Sequence, residues 1–124
     1  MKFLDTNVIA KAFYDNPHRN NCQKEISKGG LTNTFVLAET FESIFKVTKD
    51  KERAERAVRA ILQSQIMVIE INQNILFESI KRISKFNLDM FDMIHYVCAL
   101  IEGCESIVSY DTDFDNLDIP REEP

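Results

Sequence analysis

Lys2-Phe3-Leu4-Asp5-Thr6-Asn7-Val8-Ile9 is the stretch from which the fold of this 124-residue chain is read. A short apolar run that suits a buried strand stops at a carboxylate, and a segment with helical spacing begins directly behind it. In a parallel α/β sheet, sites form beyond the carboxyl ends of the strands, so an acid at that hand-over is a site candidate. An Asp before a helix also serves as its N-cap, and Asp5 alone leaves both roles open. The arrangement recurs near the other end. Ser106-Ile107-Val108-Ser109-Tyr110 reads as a buried strand, and Asp111-Thr112-Asp113-Phe114 begins where it stops.

Between these two strands the pattern alternates. Val8, Ile9, Ala12 and Phe13 predict a helix over residues 7–14, ended by Asp15-Asn16-Pro17. A second short helix is expected over 18–28, with Cys22 and Ile26 inward and Gly29-Gly30 as its stop. Leu31-Thr32-Asn33-Thr34 suits a brief strand leading into a helix whose apolar positions are Phe35, Leu37, Phe41, Ile44 and Phe45. Glu39 and Glu42 lie three apart on one side of that helix. Asp50 caps a following helix over 51–65, with Ala54, Ala57, Val58, Ile61 and Leu62 as its inner stripe, making a helical hairpin. Residues 66–71 read as a strand. Asn72 then caps a helix with Ile75, Leu76, Ile80 and Ile83 inward. Asp89 and Asp92 have capping-box-like spacing at the start of a mostly apolar, buried helix that Gly103 ends. Leu117-Asp118-Ile119 is expected to be a short edge strand closed by Pro120.

Strands alternating with helices imply a three-layer α/β/α sandwich around a parallel sheet of four or five strands, with right-handed crossovers. The length suits a single domain over residues 1–124. No apolar run is long enough to span a membrane and no signal-peptide pattern opens the chain, so a cytoplasmic protein is expected. Cys22, Cys98 and Cys104 contain no CxxC pair and read as buried thiols, not as a disulfide framework or a zinc site.

The formal charge of -5 is local. Residues 111–124 hold six acids and one base, which leaves fourteen acids and fourteen bases over residues 1–110. Glu122 and Glu123 suit a solvated acidic tail, whereas Asp111 and Asp113 follow a strand. Six bases fall between Lys46 and Arg59 against three acids. Such alternation usually marks a solvated helix face, and phosphate neutralisation is the functional reading beside it.

Four acids agree in topology. Asp5 and Asp111 end strands, while Glu39 and Asp92 lie near the starts of helices that a parallel sheet directs to the same edge. Packed together without cations, four carboxylates repel and raise one another's pKa values. Hard oxygen donors select Mg²⁺ or Mn²⁺ over zinc. Two such ions can activate a water and steady the leaving oxygen in phosphodiester cleavage. Glu42 stays open as an alternative to Glu39, and Asp89 to Asp92. His95, three residues after Asp92, is either a packing residue or a proton shuttle.

Phe3-Leu4-Asp5-Thr6-Asn7-Val8, Val36-Leu37-Ala38-Glu39, Asp92-Met93-Ile94-His95 and Ser109-Tyr110-Asp111-Thr112-Asp113-Phe114 resemble, in order and spacing, the four acidic motifs of PIN-domain nucleases. The single-domain form is similar to prokaryotic VapC-type toxins. The resemblance implies Asp5, Glu39, Asp92 and Asp111 as catalytic, metal-binding acids, Asp113 as a further metal ligand, and Thr6, Asn7 and Ser109 as polar support. It also implies Mg²⁺- or Mn²⁺-dependent cleavage of single-stranded RNA, a homodimer, and inhibition by a small antitoxin. Two other readings stand beside it: a PIN-like module that binds RNA or protein without cutting, and a phosphotransfer domain with Asp5 as nucleophile. The latter lacks its DxD motif, since the chain reads Asp5-Thr6-Asn7, and no P-loop sequence exists.

Overall fold

A computed structural model describes every residue from Met1 to Pro124. Five short strands, β1 (Lys2–Leu4), β2 (Leu31–Asn33), β3 (Met67–Ile69), β4 (Ser106–Val108) and β5 (Arg121–Glu122), form one sheet. Every pairing is parallel, and the order is β3-β2-β1-β4-β5. Phe3, Leu4, Ile107 and Val108 are fully buried, as expected of central strands covered on both faces. Six helices connect the strands: α1 (Thr6–Lys11), α2 (Arg19–Ser27), α3 (Thr34–Thr48), α4 (Lys51–Leu62), α5 (Gln73–Arg82) and α6 (Met90–Ile101). None is long and apolar enough to cross a membrane.

The strand order places the site. From β1 the chain moves outward through β2 to β3, then returns across the sheet to β4 on the other side of β1. With right-handed crossovers, a reversal of direction sends the later helices to the opposite face. The packing agrees: α1 contacts α2 and α3, α3 contacts α4, and α5 packs on α6. Such a reversal opens a crevice between the two central strands at their carboxyl ends. Asp5 follows β1 there, and Asp111 follows β4.

Local chemistry starts the helices where it should. Asn33, Asp50, Asn72 and Asp89 each accept a hydrogen bond from a backbone N–H in the first turn of α3, α4, α5 and α6. Lys49, in the left-handed conformation at φ 58°, and Asp50 make the tight α3–α4 connection. Gly30 enters β2 at φ 142°, where an added Cβ would lie 3.0 Å from the Lys2 carbonyl oxygen, so only glycine fits.

Several expectations shift. The first helix ends at Lys11, α4 ends at Leu62, and β3 is a half-buried edge strand confined to Met67–Ile69. The inner face of α3 is Val36, Leu37, Thr40 and Ile44, with Phe35, Phe41 and Phe45 only half-buried. Leu62 points outward at the end of α4, where Ile61 is the buried residue, and Leu76 and Ile80 point outward because α5 turns Ile75 and Ser79 inward instead. The final strand lies beyond Pro120, not before it. Pro120 contributes its carbonyl to Ile107 N, which a residue lacking N–H does freely, and Arg121–Glu122 then pair with β4. Glu122 is correspondingly no free tail residue: it pairs with Lys2. All three cysteines are buried and unpaired, and burial pushes the Cys98 thiol up to about 11.

Candidate active site

Asp5 is only 5% exposed and is held at both oxygens. Its Oδ1 accepts from Thr6 N at 2.8 Å, and Oδ2 accepts from Ser109 Oγ at 2.7 Å and from Asn7 Nδ2 at 3.3 Å. Capping and site position therefore coincide in one residue. Burial pushes its carboxyl above the ordinary carboxylate range, and the Ser109 bond works against that rise. Ser109 Oγ also accepts from Asn7 Nδ2 at 3.1 Å and from Asp111 N at 3.0 Å, so its one donor and two lone pairs are all engaged. Asn7 Oδ1 accepts from Tyr110 N at 3.1 Å. Asn7, Asp5 and Ser109 thus bolt the end of β1 to the end of β4 and aim the backbone at Asp111.

Beyond this bolt, Asp92, Asp111 and Asp113 bring one carboxylate oxygen each to within 4.8 Å of one another. Asp111 Oδ1 accepts from Asp113 N at 2.9 Å and starts the 3-10 turn Thr112–Phe114. Asp89 Oδ1 accepts from Asp92 N at 2.9 Å, which makes Asp89 the N-cap of α6 and places Asp92 in the first turn, facing the cluster. The Asp92 carboxyl is pushed up to about 7, first by burial and then by the charges of Asp89, Asp5 and Asp111, with His95 opposing. Asp5 belongs to the same electrostatic group but lies outside the tight triad.

Glu39 approaches from α3. Its Oε1 accepts from Thr6 Oγ1 at 2.9 Å and pairs with His95 Nε2 at 2.8 Å. Burial alone would raise its carboxyl; the contacts with His95 and Thr6 outweigh this and hold it below the ordinary range. Glu42 borders the same groove but makes no bond to the cluster.

His95 is 1% exposed, stacked on Phe3 with ring centroids 5.8 Å apart. Its Nδ1 faces Asn33 Nδ2 at 3.0 Å. Asn33 Oδ1 is committed to Val36 N at 2.8 Å as the α3 cap, so Asn33 presents only N–H to the ring. Nδ1 must accept, Nε2 must carry the proton, and that proton is donated to Glu39 Oε1. With two donors on Oε1, Oε2 is the oxygen left to face the site. His95 is a fixed donor in this arrangement, not a shuttle. Asn33 is the residue that sequence reading missed: its capping signal was local and visible, but its second partner lies 62 residues away.

Of the ion pairs in the molecule, only His95–Glu39 reaches these acids, and no Lys or Arg neutralises them. A carboxylate set of hard oxygens with no protein counter-charge fits a divalent cation of the Mg²⁺ or Mn²⁺ type.

A comparison with curated protein sequences finds no match. Solved structures match well. VapC20 of Mycobacterium tuberculosis, described as a sarcin-ricin loop cleaving toxin, superposes with a TM-score of 0.86 at 14% identity over 100% of both chains. VapBC2 of Rickettsia felis, solved on a DNA fragment of its promoter, gives 0.74 at 17% identity over 98% of this chain and 97% of that one. A toxin-antitoxin complex from Klebsiella pneumoniae gives 0.73 at 16%, over 95% and 93%. At these identities the likeness is one of fold. The sequence model of the PIN domain matches residues 2–120, nearly the whole length, and the chain therefore belongs to the PIN domain family.

Proposed function

We propose that residues 1–124 form a single PIN-like domain that hydrolyses phosphodiester bonds of single-stranded RNA, using Mg²⁺ or Mn²⁺ held by Asp5, Glu39, Asp92, Asp111 and Asp113. The observation that carries this reading is the convergence of Asp92, Asp111 and Asp113 within 4.8 Å beside the buried Asp5, with no basic side chain paired to any of them. Carboxylates in that density are stable together chiefly when a cation joins them.

Bound there, a divalent cation supplies Lewis-acid polarisation of the scissile phosphate and offsets charge on the departing oxygen. The chain's own residues supply geometry. Asp5 is immobilised by Thr6, Asn7 and Ser109, so the one lone pair they leave free, on Oδ1, points in a fixed direction. His95 and Thr6 fix Glu39 Oε1 and leave Oε2 to the site. Asp92 and Asp111 are set by backbone turns that Asp89 and Ser109 anchor. Preorganisation of this kind places a substrate phosphate without rearrangement at the moment of reaction.

The likeness to VapC toxins supports a role as the toxin of a toxin-antitoxin pair in the cytoplasm, restrained by a small antitoxin. The outward Leu76, Phe77 and Ile80 on α5 support a homodimer. The filled acidic positions favour cleavage over the non-cleaving module. The test is incubation of purified protein with structured and single-stranded RNAs under Mg²⁺, Mn²⁺ or EDTA, beside an Asp5→Asn variant. Cleavage that needs the metal and disappears in Asp5→Asn is expected. Cleavage indifferent to Asp5→Asn would overturn the site.

A further inference from the structure

We propose that the groove along α3 is a nucleotide subsite: Phe91 and Phe35 take one unstacked base of the single-stranded RNA, and Lys46 and Lys49 take phosphates beyond it. This rests on the nuclease reading and names how that site holds its substrate. The groove is a cavity of about 880 Å³ that shares Thr6 and Glu39 with the acidic site. Phe35, Glu39 and Lys46 border it from one face of α3, at intervals of four and seven residues, and Lys49, the cap just past that helix, borders its end.

Order along the groove is what selects the ligand. At one end lie the acids, where the divalent cation of the proposed function would draw in a phosphate. Next comes an aromatic wall, with Phe91 immediately before Asp92, 52% exposed, and its ring centroid 6.0 Å from that of Phe35 at 55°. At the other end stand Lys46, roughly 10 Å from Glu39 along the helix axis, and Lys49 just past the helix end. Neither lysine has an acidic partner. Three of the neighbouring bases are occupied: Arg56 and Arg59 pair with Glu52 and Glu55, and Lys51 lies 5.4 Å over the Phe45 ring. Phosphate, base, phosphate is the repeat of a nucleic acid strand, and the span equals a few nucleotides at roughly 3.4 Å each when stacked. An acidic peptide matches the lysines but offers nothing that suits both the aromatic wall and the cation end. Bases stack on aromatic rings without regard to sequence, so this subsite confers single-strand preference more than base preference.

The experiment measures binding of short single-stranded oligoribonucleotides in Mg²⁺ to protein carrying Asp5→Asn, which prevents cutting. One base at a time is replaced by an abasic residue. At one position the abasic change is expected to weaken binding on the order of tenfold. Phe91→Ala is expected to weaken the intact strand by a similar factor and to become indifferent to that same abasic change, with Phe91→Trp restoring the discrimination. Lys46→Ala and Lys49→Ala are expected to weaken all strands alike and each to flatten the salt dependence by about 0.7 in log–log slope. Phe91 is exposed, so the variant's unfolding temperature checks that only the surface has changed. Equal binding of all strands by parent and Phe91→Ala would overturn the subsite, as would a Phe91 penalty that persists on every abasic strand. Lost self-association with unchanged RNA affinity would assign the groove to a second copy of the chain. If the unsubstituted protein cuts RNA while these variants bind normally, the subsite falls and the nuclease reading stands. If it neither binds nor cuts, both fall.

Discussion

Replacing Asp92 with Asn should make the metal-free protein more stable and remove most of the stabilisation that a divalent cation gives. In the folded protein the Asp92 carboxyl is raised from 3.8 to about 7, mainly by burial and then by Asp89, Asp5 and Asp111. Above pH 4 the unfolded chain releases this proton while the folded chain keeps it. The folded state therefore binds more protons, and stability falls as pH rises from about 4 to about 7, then levels off. The full shift corresponds to ~4 kcal/mol; partial solvent screening of this half-buried group reduces that to ~2 kcal/mol. For a chain of this length, that is on the order of 8 °C in unfolding temperature. The assay is thermal and urea unfolding of parent and Asp92→Asn in EDTA from pH 4.5 to 8, repeated at pH 7.5 with Mg²⁺ and with Mn²⁺. The gap between the two proteins should be smallest near pH 4.5 and grow severalfold by pH 7.5, with the variant more stable. Metal should close the gap by raising the parent, since it binds the folded cluster and not the dispersed acids. A variant less stable than the parent at pH 7.5 without metal, or a constant gap across pH, would refute the electrostatic account of the site.

Asn33→Ser keeps an N-cap for α3 but is too short to hold His95 Nδ1. Cleavage should fall, stability should drop by about 1–3 kcal/mol for the orphaned ring nitrogen, and ¹⁵N NMR should report loss of the pure Nε2–H tautomer. Ser109→Ala removes the 2.7 Å bond to Asp5 and the acceptor for Asp111 N; urea denaturation should show a loss of about 2–3 kcal/mol, with cleavage reduced together with it. Glu39→Gln should abolish metal-dependent cleavage, whereas Glu42→Gln should change it by only a few fold. Equal losses in single-turnover assays would show that the two acids share the role.

The strand-then-acid pattern was legible because burial and function act on adjacent residues: Phe3-Leu4 and Ile107-Val108 must be apolar to sit in the centre of the sheet, and the next available positions emerge at its edge. Capping residues were legible for the same local reason. What the sequence concealed was directional. Leu76 and Ile80 share helical spacing with Ile75, and periodicity cannot say which stripe faces α6 and which faces outward. Arg121–Glu122 do not look like a strand, and pair only because β4 offers them an edge. Glu39 and Glu42, three residues apart, look alike in the sequence and differ in the fold by their contacts, since His95 and Thr6 reach only Glu39. Phe35 reads as an inner position by its spacing and lies only half-buried.

The bond between Ser109 and Asp5 spans 104 residues. During synthesis Asp5 and Glu39 emerge early, yet the hydroxyl that orients Asp5 and the carboxylates of Asp111 and Asp113 come only after some nine-tenths of these residues have been made. The acidic centre is thus among the last features these residues can assemble, followed only by the pairing of β5 with β4, and pairing β1 with β4 is itself a late, long-range step.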